Sequence, residues 1–419
     1  MTILFTDPFL DDFGVWPLAY APYGGSDFGE LAAIAAAVGD GNADTFYTAF
    51  TDMAARLATD AASAEAAGYL DSARELHLRA AVYYASSYHP IYGTPVDPRL
   101  VHAFDQQAAE LSRGLALGDS PGAPVRIPYD QTSLPGYLVP APGCAGTKRP
   151  LIIFTNGYDA TVTDMYFASA VAAGRRGYHC LLFDGPGQGE MLIHHRMPMR
   201  PDWEHVITQV TDWAASCAIV DAQSIVLSGW SLGGYLAPRG AAGEHRLAAV
   251  VADPGQWDVG ATMTALATAM GVSAHQAAHP ETIADAALAE MMAVITANPK
   301  LNWSIVKRGF WVNGVDNLRD FLAATLRYTL AGIGREISCP TLVTAAENDF
   351  LSKDADRFVA ELGDRATLVR FTAAQGAGMH CEMLNRSRYN RTALDWLDAT
   401  VGSGPTGSSP TRSGPALAG

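Results

Sequence analysis

The apolar positions of the chain follow two rhythms, one after the other. Up to about residue 120 they recur at helical spacing in alanine-rich stretches and never alternate, which predicts helices over 30–38, 43–67, 72–87 and 98–117. In the third, Leu76, Ala80, Tyr83 and Tyr84 share a face, while Arg74, Glu75 and Arg79 are spread around the rest. Residues 16–23 carry Pro17 and Pro22 and run into Gly24-Gly25, so this segment is expected to be irregular and placed to drape over a neighbouring cleft.

From Val125 the rhythm changes to short apolar runs separated by turns and helices. Runs at 125–129 and 136–139 form a leading pair of strands; 151–155, 178–183, 224–228, 247–252, 341–345 and 367–371 follow, with helices at 164–175, 203–219 and 383–397. Alternation of wholly apolar strands with helices predicts a doubly wound, mostly parallel sheet covered on both faces. The alternation breaks after Asp253-Pro254-Gly255, where about 259–335 reads as helix only, at 261–270, 281–297, 302–308 and 317–330. Helices inserted there must sit at the strand ends where ligands bind, hence a lid. The expected organisation is a helical N-terminal cap domain over 1–120, an α/β core over 121–401 carrying the lid, and a Gly/Ser/Pro/Thr tail over 402–419 expected to be disordered.

Composition narrows the function classes. A formal net charge of -15 and the lack of any basic run exclude a nucleic-acid partner. The five cysteines are odd in number and lack C-x-x-C spacing, so neither a zinc cage nor a disulfide framework is expected. Asp7, Asp11 and Asp12 stand where a signal peptide needs a basic start, and no run approaches the ~18 apolar residues of a membrane span. A soluble cytoplasmic protein with no membrane partner is the expectation. The glycine-rich loop 184–190 fits neither nucleotide-binding pattern, and Pro186 removes an N–H donor, so it reads as a tight structural turn and no cofactor is expected.

The chemistry gathers at Gly229-Trp230-Ser231-Leu232-Gly233-Gly234, which lies between a strand and a helix. That is the setting of a nucleophile elbow, a tight turn that lifts a serine hydroxyl into the open. Serine needs a base, and the base a carboxylate to orient it. His380, in the loop after the last strand, is the base, and Asp349, just past the 341–345 strand, is the acid; Glu347, Asp354, Asp356 and Asp253 are its competitors. The oxyanion donors are expected to be the amides of Leu232 and Tyr158, while Asp159 reads as a helix cap.

Together, the loop Asp184-Gly-Pro-Gly-Gln-Gly-Glu190, the elbow with Ala237-Pro238-Arg239 behind it, and Leu78-Arg-Ala-Ala-Val-Tyr-Tyr84 in the helical region resemble the α/β-hydrolase superfamily. Within it they are similar to the 2,6-dihydroxypseudooxynicotine hydrolase group and to fungal polyketide-shortening hydrolases. The resemblance implies a homodimeric cytosolic enzyme that hydrolyses a carbon–carbon bond beside a ketone in a small aromatic or polyketide-like substrate. The branch also holds esterases. An esterase or amidase, an acyltransferase and a non-catalytic ligand-binding protein therefore remain alternatives. One departure is that Thr155-Asn156-Gly157-Tyr158-Asp159 has a single glycine where the superfamily commonly has two. Trp16, Tyr20, Trp303 and Trp311 are candidate substrate contacts, with plain packing as the competing role, and Asp258 is the candidate auxiliary carboxylate.

Overall fold

The computed structural model describes residues 2–402. The expected tail falls outside these residues apart from Gly402, which closes the last helix in a left-handed conformation (φ 78°). Eight strands form one sheet: β1 (Ala123–Tyr129), β2 (Thr132–Val139), β3 (Arg149–Thr155), β4 (His179–Phe183), β5 (Val220–Trp230), β6 (Ala249–Asp253), β7 (Thr341–Ala346) and β8 (Ala366–Phe371). Their order is β1-β2-β4-β3-β5-β6-β7-β8. The β1–β2 and β2–β4 pairs are antiparallel, and every later pair is parallel.

Sequence and packing explain each other here. Every residue of β4, β6 and β7 is buried, as a strand with helices on both faces requires. β5 starts at Val220, earlier than expected, because its half-exposed first residues continue the strand, Val220 pairing with Arg149. This parallel order puts the carboxyl ends of β3, β5, β6, β7 and β8 along one rim, with β5 at its centre.

The N-terminal region is helical. Phe28–Val38, Ala43–Ala66, Leu70–Ser87 and Pro98–Ala116 are preceded by Pro8–Gly14 and Trp16–Tyr20. The segment 16–23 is thus more regular than expected: Pro17 lies in a first helical turn, where its missing N–H leaves no bond unmade, and Ala21–Tyr23 tightens into a 3-10 turn. Leu70–Ser87 runs between Ala43–Ala66 and Pro98–Ala116 and buries nearly all of its second half. The buried side chains of these helices merge with those of the sheet into one hydrophobic cluster.

The insertion between β6 and β7 has a cluster of its own, built from Ala267, Met291, Ile295, Phe310, Phe321 and their neighbours. Its last helix, Leu318–Thr325, ends before the expected residue 330 because the chain turns out to run along the base of the insertion, where the Val259 amide donates to the Tyr328 carbonyl (2.9 Å) and the Leu330 amide to the Trp257 carbonyl (2.9 Å). The C-terminal helix spans Arg386–Val401, starting later than expected because Asn385 caps it by accepting from the Arg388 amide.

Candidate active site

Ser231 stands directly after β5 with φ 60°, left-handed backbone that costs a non-glycine residue about 1–3 kcal/mol. Two close approaches hold it there. A Cβ on Gly229 would run into the Gly233 carbonyl, and one on Gly234 into the Pro254 carbonyl. The Ser231 amide donates to the Asp253 carbonyl at the end of β6 (2.8 Å), and Gln256 Nε2 donates to the Ser231 carbonyl (2.8 Å).

The loops after β7 and β8 bring the other two groups to this serine. His380 Nε2 is 2.9 Å from Ser231 Oγ, and His380 Nδ1 is 2.7 Å from Asp349 Oδ2. Asp349 is buried and fixed from its far side, since Oδ1 accepts from the Leu351 amide (3.0 Å). Burial acts to lower the His380 pKa, but the hydrogen bond and charge of Asp349 outweigh it, and the net shift is upward. The imidazole is therefore biased toward carrying the proton that a serine would give up.

The competing acids are engaged elsewhere. Glu347 Oε2 accepts from the Ala373 amide (2.6 Å), Asp356 pairs with Arg370 (2.6 Å), and Asp253 pairs with Arg386 (2.6 Å). Asp354 stands at the start of the helix Ala355–Leu362.

The loop after β3 lies against the nucleophile. A Cβ on Gly157 would stand 2.8 Å from Ser231 Cβ, 2.9 Å from the Leu232 nitrogen and 3.1 Å from Ser231 Oγ. The space beside Ser231 is thus open only because residue 157 has no side chain. The Leu232 amide faces it and makes no backbone hydrogen bond among the described residues. Tyr158, the next residue, is held through its side chain and its carbonyl: its hydroxyl accepts from Asn313 (3.0 Å) on the insertion and its carbonyl from the Tyr92 hydroxyl (3.4 Å).

The glycine-rich loop 184–190 does more than turn the chain. Gln188 is fully buried, and its Nε2 donates to the carbonyls of Asn156 (2.7 Å) and Gly157 (3.1 Å), while its Oε1 accepts from the Gly185 amide (3.0 Å). It therefore braces the loop that faces Ser231. Asp184 closes the 184–190 turn itself by accepting from the Glu190 amide (3.2 Å), and burial pushes its carboxyl up to about 7. The motif was visible in the sequence, but nothing there indicated the direction of the glutamine side chain.

The expected substrate contacts divide. Trp16 and Trp303 belong to an aromatic group around His89 and next to the elbow: Trp16 lies 5.0 Å from the His89 ring and 6.4 Å from Trp230, Phe13 lies 4.7 Å from Trp303, and Trp303 Nε1 donates to the His89 carbonyl (2.7 Å). Trp311 packs on Tyr92 (4.8 Å). Tyr20 is different: fully buried, it donates to Asp164 (3.0 Å), so it serves the contact between the helical layer and the core. Asp258 is also committed to the fold, capping the first helix of the insertion through the Ala261 amide (2.7 Å) and accepting from Thr329 Oγ1 (3.0 Å). Asp159 does not serve as the helix cap expected of it. Thr161 holds that place, and Asp159 meets Arg308 of the insertion at 3.2 Å. That guanidinium lies over the rings of Tyr158 (5.2 Å) and Trp303 (4.6 Å).

Comparison with known proteins bears on the family and the fold. Residues 152–392 match the profile of the alpha/beta hydrolase family. The 20-hydroxy-prefusarin hydrolase FUS2 of Gibberella moniliformis is 32% identical to the chain, across 91% of this chain and 94% of that protein. The hydrolase acrC of Aspergillus aculeatus is 30% identical across 91% and 94%. Among solved structures, 2,6-dihydroxy-pseudo-oxynicotine hydrolase superposes with a TM-score of 0.72 at 20% identity, covering 96% of this chain and 100% of that one, which places both on one fold.

Proposed function

The chain belongs to the alpha/beta hydrolase family, and from that premise we propose that it is a serine hydrolase that cleaves a carbon–carbon bond beside a ketone in an aromatic or polyketide-like small molecule. The observation that carries this reading is the continuous line from Asp349 Oδ2 through His380 to Ser231 Oγ, at 2.7 and 2.9 Å, ending on a serine held in left-handed backbone. Those are the distances at which an oriented imidazole takes a hydroxyl proton.

In this mechanism Ser231 Oγ attacks the carbonyl carbon as His380 Nε2 accepts its proton, and the oxyanion is held by the amides of Leu232 and Tyr158. Collapse breaks the bond to the neighbouring carbon. That carbon leaves as an enolate, its charge spread onto the adjacent ketone, and takes the proton back from His380. Water, deprotonated by the same imidazole, then frees the acyl group as a carboxylic acid. The net reaction consumes one water and gives an acid and a ketone.

The aromatic group around Trp16, Trp230 and Trp303 beside the elbow favours a flat, unsaturated substrate. Relatives that match across nine-tenths of the chain include two fungal hydrolases, acrC and the 20-hydroxy-prefusarin hydrolase FUS2. In this reading residues 1–120 act as a cap and about 259–335 as a lid on a core spanning 121–401, in a cytoplasmic homodimer that light scattering will register. The deciding assay offers the purified protein simple aryl esters and acylphloroglucinol-type ketones in parallel. Turnover of the ketones with loss of activity in S231A is expected. Turnover of esters alone assigns an esterase, and failure of Ser231 to react with a fluorophosphonate leaves a binding protein.

A further inference from the structure

Behind the triad lies a buried charge cluster with no part in the chemistry above. We infer that Arg386 is a positioning residue for the reaction, locking the loop that carries His380 to the strand end that carries Ser231. The inference rests on the proposed triad and adds to it the element that holds base and nucleophile in register.

The guanidinium touches both sides of the site. Arg386 Nη1 donates to Asp253 Oδ2 (2.6 Å) and to the carbonyl of Cys381 (2.6 Å), the residue after His380. Nη2 donates to Ser169 Oγ (2.9 Å) and Nε to the Ala168 carbonyl (3.4 Å), in the helical stretch that follows the β3 loop. Asp253 is in turn the residue whose backbone carbonyl accepts the Ser231 amide (2.8 Å), and its Oδ1 accepts from Thr344 on β7 (3.1 Å). One side chain therefore joins the elbow, the histidine loop and the layer behind the oxyanion loop.

Two features indicate that this junction sets geometry and does not simply fill space. The loop leaves His380 through two consecutive non-glycine residues in left-handed backbone, Cys381 (φ 52°) and Glu382 (φ 50°), a conformation that persists only where its surroundings enforce it. The hydrogen bond from Arg386 to the Cys381 carbonyl falls within that strained pair. Arg386 and Asp253 are also both 1% exposed at their side chains, so neither is replaced by water if the other is lost. Glu382 lies 3.9 Å from the same guanidinium, and burial, with the charge of Asp253 next, raises its pKa well above the usual carboxylate range.

Lysine at this position keeps the charge and loses the fork that reaches Asp253, Cys381 and Ser169 together. The test is the rate of Ser231 labelling by a fluorophosphonate, resolved into a maximal rate and a half-saturating concentration. For R386K the maximal rate is expected to fall about 10- to 100-fold, the cost of displacing a reacting group by a fraction of an ångström to one ångström, with half-saturation within about twofold. R176M is the comparison for stability: it removes the pairs from Arg176 to Asp395 and Asp398 on the same C-terminal helix, far from the loop. It should lower the melting temperature and leave the maximal rate unchanged. A parental rate in R386K, or a slowed rate that R176M reproduces at an equal loss of melting temperature, overturns the positioning role. If the wild-type chain is not labelled at Ser231, the triad reading falls and this one with it; a labelled wild type with an undisturbed R386K overturns only the role of Arg386.

Discussion

Replacing Gly157 by alanine tests where the oxyanion sits. The added methyl would stand 2.9 Å from the Leu232 nitrogen and 3.1 Å from Ser231 Oγ. An oxyanion formed by attack of that hydroxyl and held by the Leu232 amide occupies a position about 2.7–3.1 Å from the donor. Methyl and oxyanion thus claim one volume. Gly157 has no positive φ, so alanine adds bulk there without backbone strain. Its 2.8 Å approach to Ser231 Cβ nevertheless pushes the loop outward, a crowding cost of about 1–3 kcal/mol in stability. Losing one oxyanion donor slows acyl transfer about 10²- to 10³-fold, or roughly 2.7–4 kcal/mol of transition-state stabilisation, and G157A is expected to reach that range. The assay is kcat/KM on an aryl ester together with the fluorophosphonate labelling rate, since the phosphonyl oxygen uses the same donors. Y158F, which keeps the residue 158 amide and loses only the hydroxyl contact to Asn313, should retain most of the activity. A folded G157A with a kcat/KM close to the parent refutes an oxyanion site between Gly157 and Leu232.

Other expectations follow from the same contacts. Because the His380 pKa lies above its ordinary 6.5, kcat/KM should fall as pH drops through a value above 6.5, where the imidazole gains the proton that blocks it as a base; the stability contributed by the His380–Asp349 pair runs the other way, present in full at lower pH and lost as pH rises through that folded-state pKa. D349N removes the hydrogen bond and the charge of Asp349 and leaves burial opposed only by the lesser effects of Asp253 and Asp159, so the acid limb should move downward and kcat fall about 10⁴-fold, measured by a pH–rate profile. Q188L strips the buried carbonyls of Asn156 and Gly157 of their donor, and should cost about 1–3 kcal/mol in denaturant unfolding while lowering kcat more than it raises KM. R308A leaves Asp159 buried without its cation; with Arg308 itself a quarter exposed the loss is about 1–2 kcal/mol, seen as roughly 5- to 30-fold faster protease cleavage within the lid.

What the sequence disclosed and what it withheld follow from the range of each interaction. The strands were readable because a strand buried on both faces has to be apolar throughout, as β4, β6 and β7 are. That Ser231, Asp349 and His380 meet was readable because a parallel sheet sends its strand ends to one rim, so position after a strand stands in for position in space. Side-chain direction has no such proxy. Gln188 reaches the neighbouring loop, and Arg386 meets Asp253 at a separation of 133 residues, in a helix whose sequence carries no sign of the partner. Tyr20 and Asp258 were drawn into the site by residue type, yet their nearest groups, Asp164 for the tyrosine and the Ala261 amide and Thr329 for the aspartate, make them parts of a packing contact and a helix cap.

The two helical layers that bound the site are joined to the sheet in different ways, and this bears on what each can contribute. The N-terminal helices share one continuous hydrophobic cluster with the strands, so Trp16, Phe13 and His89 are as fixed as the core beneath them. The insertion after β6 buries most of its apolar side chains in a separate cluster, is anchored in the main one through Val259, Trp303, Val312, Tyr328 and Leu330, and adds polar contacts at the rim from Trp303 to the His89 carbonyl, Arg308 to Asp159 and Asn313 to the Tyr158 hydroxyl. Polar contacts of this kind break and re-form at little cost compared with opening a core. All three converge on the β3 loop or on the aromatic group next to Ser231, the two places a substrate must touch. In the proposed function, a group entering between the insertion and the rim would compete with Arg308 and Asn313 for Asp159 and Tyr158, so that the fit of the substrate and the setting of the loop after β3 would be one event.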